Sequence, residues 1–430
     1  MIEIIPLSKK IRAKIKAPPS KAFTLRAIFV GALAEGKTTL KNPLFAKDQI
    51  YAISALSKFG VKFEKRKNEL IVHGTGGKLK LPKGKIFVGN SGLTARILAS
   101  FSALCEKGKI VIDGEKRLRE RPIQDLIQAL EKLGVKIRSI LKNGSFPIEV
   151  EGGSFLGGKT KLRGEISSQY FSSILICAPF AKKDVEIECV GNLSSKPYID
   201  ITQAVMADFG VKIENKNYKK FFIKAGQRYK GRKYQIEGDW TGASYFLAIP
   251  AICQGKIILE NLKKDSVQGD KIFAEILEKM GCKVKKEKNK VTVESPKILK
   301  PINIDMNSYP DLVLTVAVLA CFAKGKSEIK NIYHLHFKES DRISVVIEQL
   351  KKLGIESKEK NGNLIIFGDP QKIRGAKIET HNDHRVAMAF SIVGLKVPKI
   401  IIDNENCVKK SFPNFYQIFK KIGGNYKKLE

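Results

Sequence analysis

The stretch Ala129-Leu130-Glu131-Lys132-Leu133-Gly134-Val135-Lys136 ends an amphipathic helix on a glycine and turns at once into a basic strand. Glycine is the expected residue just past a helix, because there the backbone adopts a left-handed conformation that costs glycine nothing sterically. The phrase returns at Ala55–Gly60, Ala204–Gly210, Ile276–Gly281, Gln349–Gly354 and, degenerately, Ile418–Gly423, so that its glycine recurs every 69–76 residues. A second phrase of apolar helix, basic turn and β-rich strand keeps step with it, at Gly31–Leu40, Ser102–Val111, Ile176–Val185, Ala251–Leu259, Ala320–Ile329 and Ser391–Ile400. Each unit therefore holds two helices and three or four short strands. The period is longer than that of solenoid repeats. Helices buried under sheets in two groups of three units predict an α+β protein of two similar domains, each of three repeated βαβαββ-like units.

The opening strand, Met1 to about Lys14, precedes the first full unit, and a Gly/basic turn region lies at Gly226–Lys233. The expected domains are residues 1–15 with 236–430, and residues 16–235. They are joined by a hinge that the chain crosses twice, with the ligand site in the cleft between them.

At 430 residues with 43% hydrophobic and 28% charged content, the chain has the composition of a soluble globular protein. The longest apolar run, Leu312–Ala323, is too short to cross a bilayer and reads as a buried helix. No basic n-region precedes an apolar segment at Met1–Pro6, so a cytoplasmic location and no membrane partner are expected. Seven cysteines stand singly, without CxxC or Cys/His ligand spacing, which argues against a disulfide framework and a structural metal. Cys105, Cys177, Cys253 and Cys321 fall near the ends of apolar runs, where a thiol packs as a small hydrophobe. The net charge of +35 has two readings, a nucleic-acid binder or a Lys-rich surface around a site for small anions. Much of the excess sits in alternating stretches such as Lys62–Lys67 and Lys283–Lys290, which look like outward faces of hairpins. The second reading is preferred, and no nucleic-acid partner is expected.

The loops between the repeated phrases are not themselves repetitive, and they collect the polar residues. Lys338-Glu339-Ser340-Asp341-Arg342 puts two cations four residues apart on one helical face, with Glu339 between them in sequence. Lys21 and Arg26 follow Pro18-Pro19-Ser20. Gly89-Asn90-Ser91-Gly92 opens a helix whose N-terminus suits an anion or simply forms a turn. Arg119-Glu120-Arg121-Pro122 sets guanidinium groups before a helix, as ligands or as surface ion pairs. Ser167-Ser168-Gln169 and Ser195-Lys196-Pro197-Tyr198 are hydroxyl-rich helix starts, open to capping or to anion binding. Asp311 heads the buried helix as an N-cap, a catalytic carboxylate, or both. Asn382-Asp383-His384-Arg385 suits a structural or anion-orienting role better than zinc, and Lys410 precedes the last helix. Lys21, Arg26, Arg121, Lys338, Arg342, Arg385 and Lys410 make seven cations against two carboxylates, Asp311 and Glu339. That ratio suits polyanionic substrates and one or two proton transfers. No Walker loop, dinucleotide fingerprint or metal-ligand cluster is visible, so no cofactor is expected.

Taken together and in order, these motifs resemble the EPSP synthase family essentially from end to end. The likeness also covers Glu237-Gly238-Asp239, Gln268-Gly269-Asp270, Pro310-Asp311, Asp341-Arg342 and Lys410-Ser411-Phe412-Pro413. The resemblance implies two inverse α/β domains. It implies transfer of the enolpyruvyl group of phosphoenolpyruvate to the 5-hydroxyl of shikimate 3-phosphate, a step of aromatic amino-acid biosynthesis, by a monomer. By the same likeness Lys21, Ala22, Arg26, Ser167, Ser168, Gln169, Ser195, Tyr198, Asp311, His334 and Lys338 would contact shikimate 3-phosphate. Lys21, Gly92, Arg121, Gln169, Arg342, Arg385 and Lys410 would hold phosphoenolpyruvate. Asp311, Glu339 and Lys21 would be catalytic, Asp311 accepting the hydroxyl proton and Glu339 protonating the methylene. The chain departs from the family at Pro19 and Ala22 and at His334, where asparagine is common, and at Leu93 and Ile97. The rival readings are the sister enolpyruvyltransferase acting on UDP-N-acetylglucosamine and the basic nucleic-acid binder. The paired serines and the Arg119–Pro122 loop favour the shikimate branch.

Overall fold

A computed structural model describes residues 1–429 and contains six four-stranded sheets. The sheet that begins at Ile86–Phe87 shows the pattern. Its first strand runs parallel to Lys109–Asp113, which pairs antiparallel with Ile148–Glu151, and the edge strand Ile137–Ser139 pairs antiparallel with that. The helix Gly92–Ser102 makes the parallel crossover, and Gln124–Lys132 leads into the hairpin. The same β-α-β-α-β-β order is built at Gly158–Ile223 and at Asn303–Gly368.

The other three sheets are completed by strands from far along the chain. Lys37–Lys41 takes Lys233–Gln235 as its parallel neighbour. Gly255–Glu260 takes Ile11–Lys16, with Ile11 opposite Gly255 and Lys16 opposite Glu260. Ile2–Ile5 lies between Ile400–Ile402 and Asn425–Lys428, antiparallel to both.

The chain divides into two compact units, Met1–Pro18 with Glu237–Glu430, and Pro19–Ile236. Each has three of the sheets and its own apolar core. In the first unit the core gathers Trp240, Phe273, Leu314 and Phe390, and in the second Phe29, Phe101, Phe171 and Phe221. The run expected to be a buried helix forms one at Val313–Cys321, every residue of it buried. The six repeated glycines, Gly60, Gly134, Gly210, Gly281, Gly354 and Gly423, all have φ between 82° and 102°, the left-handed helix exit read from the sequence. The basic stretches form hairpin edges: Lys62–Arg66 pairs only with Glu69–His73, and Lys283–Glu287 only with Lys290–Glu294. Among the described residues no helix is long and apolar enough to cross a membrane.

Candidate active site

In the first unit the polar residues converge on Arg342. This arginine opens the helix Arg342–Lys352, which is capped by Asp341 through the Ser344 N–H, and its guanidinium is fully buried. Its Nε donates to Asp383 Oδ2 at 2.8 Å, Nη1 to Asp311 Oδ1 at 3.0 Å and Nη2 to Glu339 Oε2 at 3.0 Å. Burial alone would depress its pKa, but Asp383, Glu339 and Asp311 together hold it above the ordinary arginine range. Arg385 reaches the other Asp311 oxygen, Oδ2, at 2.7 Å, and donates to the Tyr245 hydroxyl at 3.1 Å. Asp311 stands just before Leu312, which takes the N-cap position of the helix Val313–Cys321 in its place, and both Asp311 carboxylate oxygens accept from guanidinium groups instead. Asp383 caps the helix His384–Gly394 through the Arg385 N–H at 2.9 Å, and so fixes Arg385 while it pairs with Arg342.

His334 lies in the 3-10 turn Tyr333–Phe337 and is buried, its Nε2 without a hydrogen-bond partner. Burial, and then the Lys338 ammonium, push its pKa down to about 2, so the imidazole is neutral. Lys338 directly follows that turn, and Lys410 is buried at the end of the 3-10 turn Glu405–Lys410. Asp270 was not given a role from the sequence. It is buried, accepts a hydrogen bond from Thr241, and is raised to about 7 by burial and by the charge of Asp311.

In the second unit Ser20 caps the helix Lys21–Leu33. The Lys21 ammonium pairs with Asp48 at 2.6 Å, an acid that no motif had singled out. Arg26 is buried. Its Nε donates to Thr202 Oγ1 at 2.7 Å, Nη1 to the Ala22 carbonyl at 3.1 Å and Nη2 to the Tyr198 carbonyl at 3.0 Å, and burial lowers its pKa to about 10. Ser167 caps its helix by accepting from the Gln169 N–H at 3.3 Å, and Ser168 is the first, buried residue of that helix. Ser195 sits at φ 57° with a buried Oγ that has no hydrogen-bond partner within the protein. Tyr198 lies one residue into the next helix, its ring 5.9 Å from the Arg26 guanidinium carbon. Of the Arg119–Pro122 loop, Arg119 forms a bidentate pair with Asp113 at 2.9 and 2.7 Å. Arg121 is buried and donates to the Asn90 side chain at 3.2 Å. A Cβ on Gly92 would stand 2.6 Å from the Arg121 guanidinium, so the absence of a side chain at Gly92 is what admits that arginine. Gln169 accepts at 2.6 Å from Arg96, a residue that sequence reasoning passed over. Its position one turn beyond Gly92 on the same helix is the signal that could have found it.

The seven cations thus have more acids around them than the sequence suggested, since Asp48 and Asp383 join Asp311 and Glu339. Among the described residues one group of possible metal donors gathers, Glu348, Glu379 and His381. The Lys352 ammonium already bridges its carboxylates at 2.7 and 3.2 Å. A cavity of about 1010 Å³ over the sheet Ile11–Lys16, Gly255–Glu260 shares no residue with either cluster.

The family model for EPSP synthase (3-phosphoshikimate 1-carboxyvinyltransferase) matches residues 5–419. A 3-phosphoshikimate 1-carboxyvinyltransferase of Methanocaldococcus jannaschii is 41% identical over 425 residues, 98% of each chain. That of Mannheimia haemolytica is 40% identical, covering 98% of this chain and 99% of the relative. An EPSP synthase structure from Acinetobacter baumannii superposes with a TM-score of 0.83 at 27% identity, covering 99% of both chains. Sequence and fold agree over nearly the whole length, and the chain belongs to the EPSP synthase family.

Proposed function

We propose that the chain carries out the reaction of its family, enolpyruvyl transfer from phosphoenolpyruvate to the 5-hydroxyl of shikimate 3-phosphate, with the residues placed above in defined roles. Ser167, Ser168 and Ser195 take the shikimate phosphate, and the buried Ser195 hydroxyl without a partner supports this assignment. Arg26 braces the Tyr198 turn against which the ring packs, and neutral His334 and Lys338 contact the shikimate hydroxyls. Arg121, Arg342, Arg385 and Lys410, with the helix start at Gly92 and the amide of Gln169, hold phosphoenolpyruvate. Lys21 serves both substrates.

The observation that carries the chemistry is the shared guanidinium. Arg342 binds Asp311 and Glu339 at once, and Arg385 binds Asp311 a second time. Two carboxylates in one cluster but in different surroundings can take opposite proton-transfer roles. When the substrate anions draw Arg342 and Arg385 to themselves, Asp311 loses two cationic partners and becomes a stronger base. The 5-hydroxyl oxygen then bonds to C2 of phosphoenolpyruvate as its proton passes to Asp311, while Glu339 delivers a proton to C3. Glu339, now a carboxylate, takes a proton back from C3 as the bond from C2 to the phosphate oxygen breaks, which forms the new C2–C3 double bond and expels phosphate. The surrounding cations stabilise the charge that develops on the way.

Phosphate release on mixing the two substrates tests this reading. Wild type should turn over, and Glu339→Gln and Asp311→Asn should each slow kcat by roughly 10²- to 10⁴-fold, the usual worth of a positioned acid or base. Rates near wild type in both variants would remove the proton-transfer assignment. Turnover with UDP-N-acetylglucosamine in place of shikimate 3-phosphate would favour the sister reaction.

A further inference from the structure

The residue that ties the second unit's substrate loops together is Arg96. It lies on the helix Gly92–Ser102, is buried, and has no carboxylate partner among the described residues. Its Nη1 donates to Gln169 Oε1 at 2.6 Å and its Nη2 to the Pro122 carbonyl at 3.2 Å. The Tyr170 hydroxyl donates to that same carbonyl at 2.6 Å, and the Arg96 guanidinium carbon sits 5.2 Å from the Tyr170 ring centre. The Arg96 Nε is buried and has no hydrogen-bond partner. An uncompensated buried cation is costly, and proteins usually pair it with an acid. Here its three contacts go instead to two neutral carbonyl-type oxygens and an aromatic face, at the residues on either side of the expected phosphoenolpyruvate groups.

We propose that Arg96 is a positioning residue that fixes which end of the Gln169 amide faces the substrates and holds the Arg121 turn in place. A guanidinium offers only donors, so the Gln169 oxygen must point at Arg96 and the NH₂ is the end left to present. A dianionic substrate accepts hydrogen bonds, so a presented donor binds it and a presented oxygen would repel it. The grip on the Pro122 carbonyl fixes the residue next to Arg121, whose guanidinium already fills the space above Gly92. The unneutralised charge of Arg96 adds to the field that draws the anions in. The inference rests on the enolpyruvyl-transfer reading and names the residue behind two of its ligands.

The test compares wild type, Arg96→Lys, Gln169→Ala and the double variant, by KM for each substrate, kcat and thermal melting. A lysine has one head and cannot hold both oxygens in the fork geometry. Arg96→Lys should raise KM for phosphoenolpyruvate by ten- to a hundredfold, with a smaller change in kcat. Its effect should shrink severalfold when Gln169 is already alanine. If the two effects simply multiply, or if Arg96→Lys binds phosphoenolpyruvate normally, the proposal is overturned. Gln169→Glu guards against a folding artefact. Its carboxylate should pair with Arg96 and leave melting unchanged or higher, yet present no donor and raise the same KM. A Gln169→Glu protein that melts lower, or that keeps the wild-type KM, also overturns it. Absence of phosphate release by wild type would instead sink the reaction itself, an outcome separate from all of these.

Discussion

At the scale of single residues, His334 and Arg342 show how burial sorts charged from neutral groups. Arg342 stays cationic because three carboxylates surround it, whereas at His334 burial and the Lys338 charge outweigh the opposing charge of Asp311 and hold the ring neutral. The folded pKa of His334, about 2, lies far below the ordinary histidine value of about 6.5. As pH falls below about 6.5 the unfolded chain takes a proton that the folded chain refuses, so His334 subtracts about 1.4 kcal/mol of stability per pH unit down to its folded pKa. His334→Asn keeps a donor and removes the titration. Its loss of stability between pH 7 and pH 5 should be smaller than wild type's by about 2 kcal/mol, measured by urea unfolding. Equal losses would show that His334 is solvated and ionised at pH 5. Glu339, Arg342 and Arg385 were legible in the sequence because each stands in a charged motif, and Asp311 because it heads the apolar run Leu312–Ala323. Asp48 and Arg96 were not, since one is a routine acid in a first helical turn and the other hides in an apolar helix. Their importance comes from long-range contacts, Lys21 to Asp48 and Arg96 to Gln169, and only Arg96 has a local hint, its place one turn past Gly92.

At the scale of elements, the helix starts and exits do most of the placing. Gly92 opens a helix whose N-cap, Ser91, makes no side-chain cap bond and donates instead to Thr94 Oγ1 at 2.8 Å. Arg121 occupies the space where a Gly92 side chain would stand. In Gly92→Ala the added methyl must displace that buried guanidinium. KM for phosphoenolpyruvate should rise by roughly ten- to a hundredfold, as expected for a displacement of about 1 Å at a binding group, with KM for shikimate 3-phosphate little changed. Steady-state kinetics with each substrate varied in turn checks this, and an unchanged KM for phosphoenolpyruvate would mean that Arg121 does not serve it. The repeated helix-glycine-strand phrase was readable from sequence because a helix exit needs one residue type at one place. The long-range strand partners were not. Nothing near Lys37–Lys41 announces that Lys233–Gln235 will lie beside it, nor anything near Ile400–Ile402 that Ile2–Ile5 will.

At the scale of the whole molecule, the charge of +35 finds a structural place. The six sheets each end on an edge strand bearing at least one lysine or arginine, namely Lys62–Arg66, Ile137–Ser139, Glu214–Lys216, Lys283–Glu287, Glu356–Lys360 and Asn425–Lys428. Charged side chains on edge strands block edge-to-edge pairing with other chains. The composition made this charge obvious, but only the strand order shows where it sits. Such an excess repels itself, and salt screens the repulsion. The melting temperature should therefore rise by a few degrees between about 0.05 and about 0.5 M sodium chloride. A fall would mean that exposed ion pairs outweigh the net repulsion.

The central claim is that Glu339 and Asp311, joined through Arg342, move the protons of enolpyruvyl transfer. The most direct measurement is the mass of the transfer product formed in D₂O. With wild type, reversible protonation at C3 should leave deuterium on the vinylic carbon of the product, and Glu339→Gln should lose that label together with turnover. Deuterium entering C3 at the wild-type rate in Glu339→Gln would contradict the account.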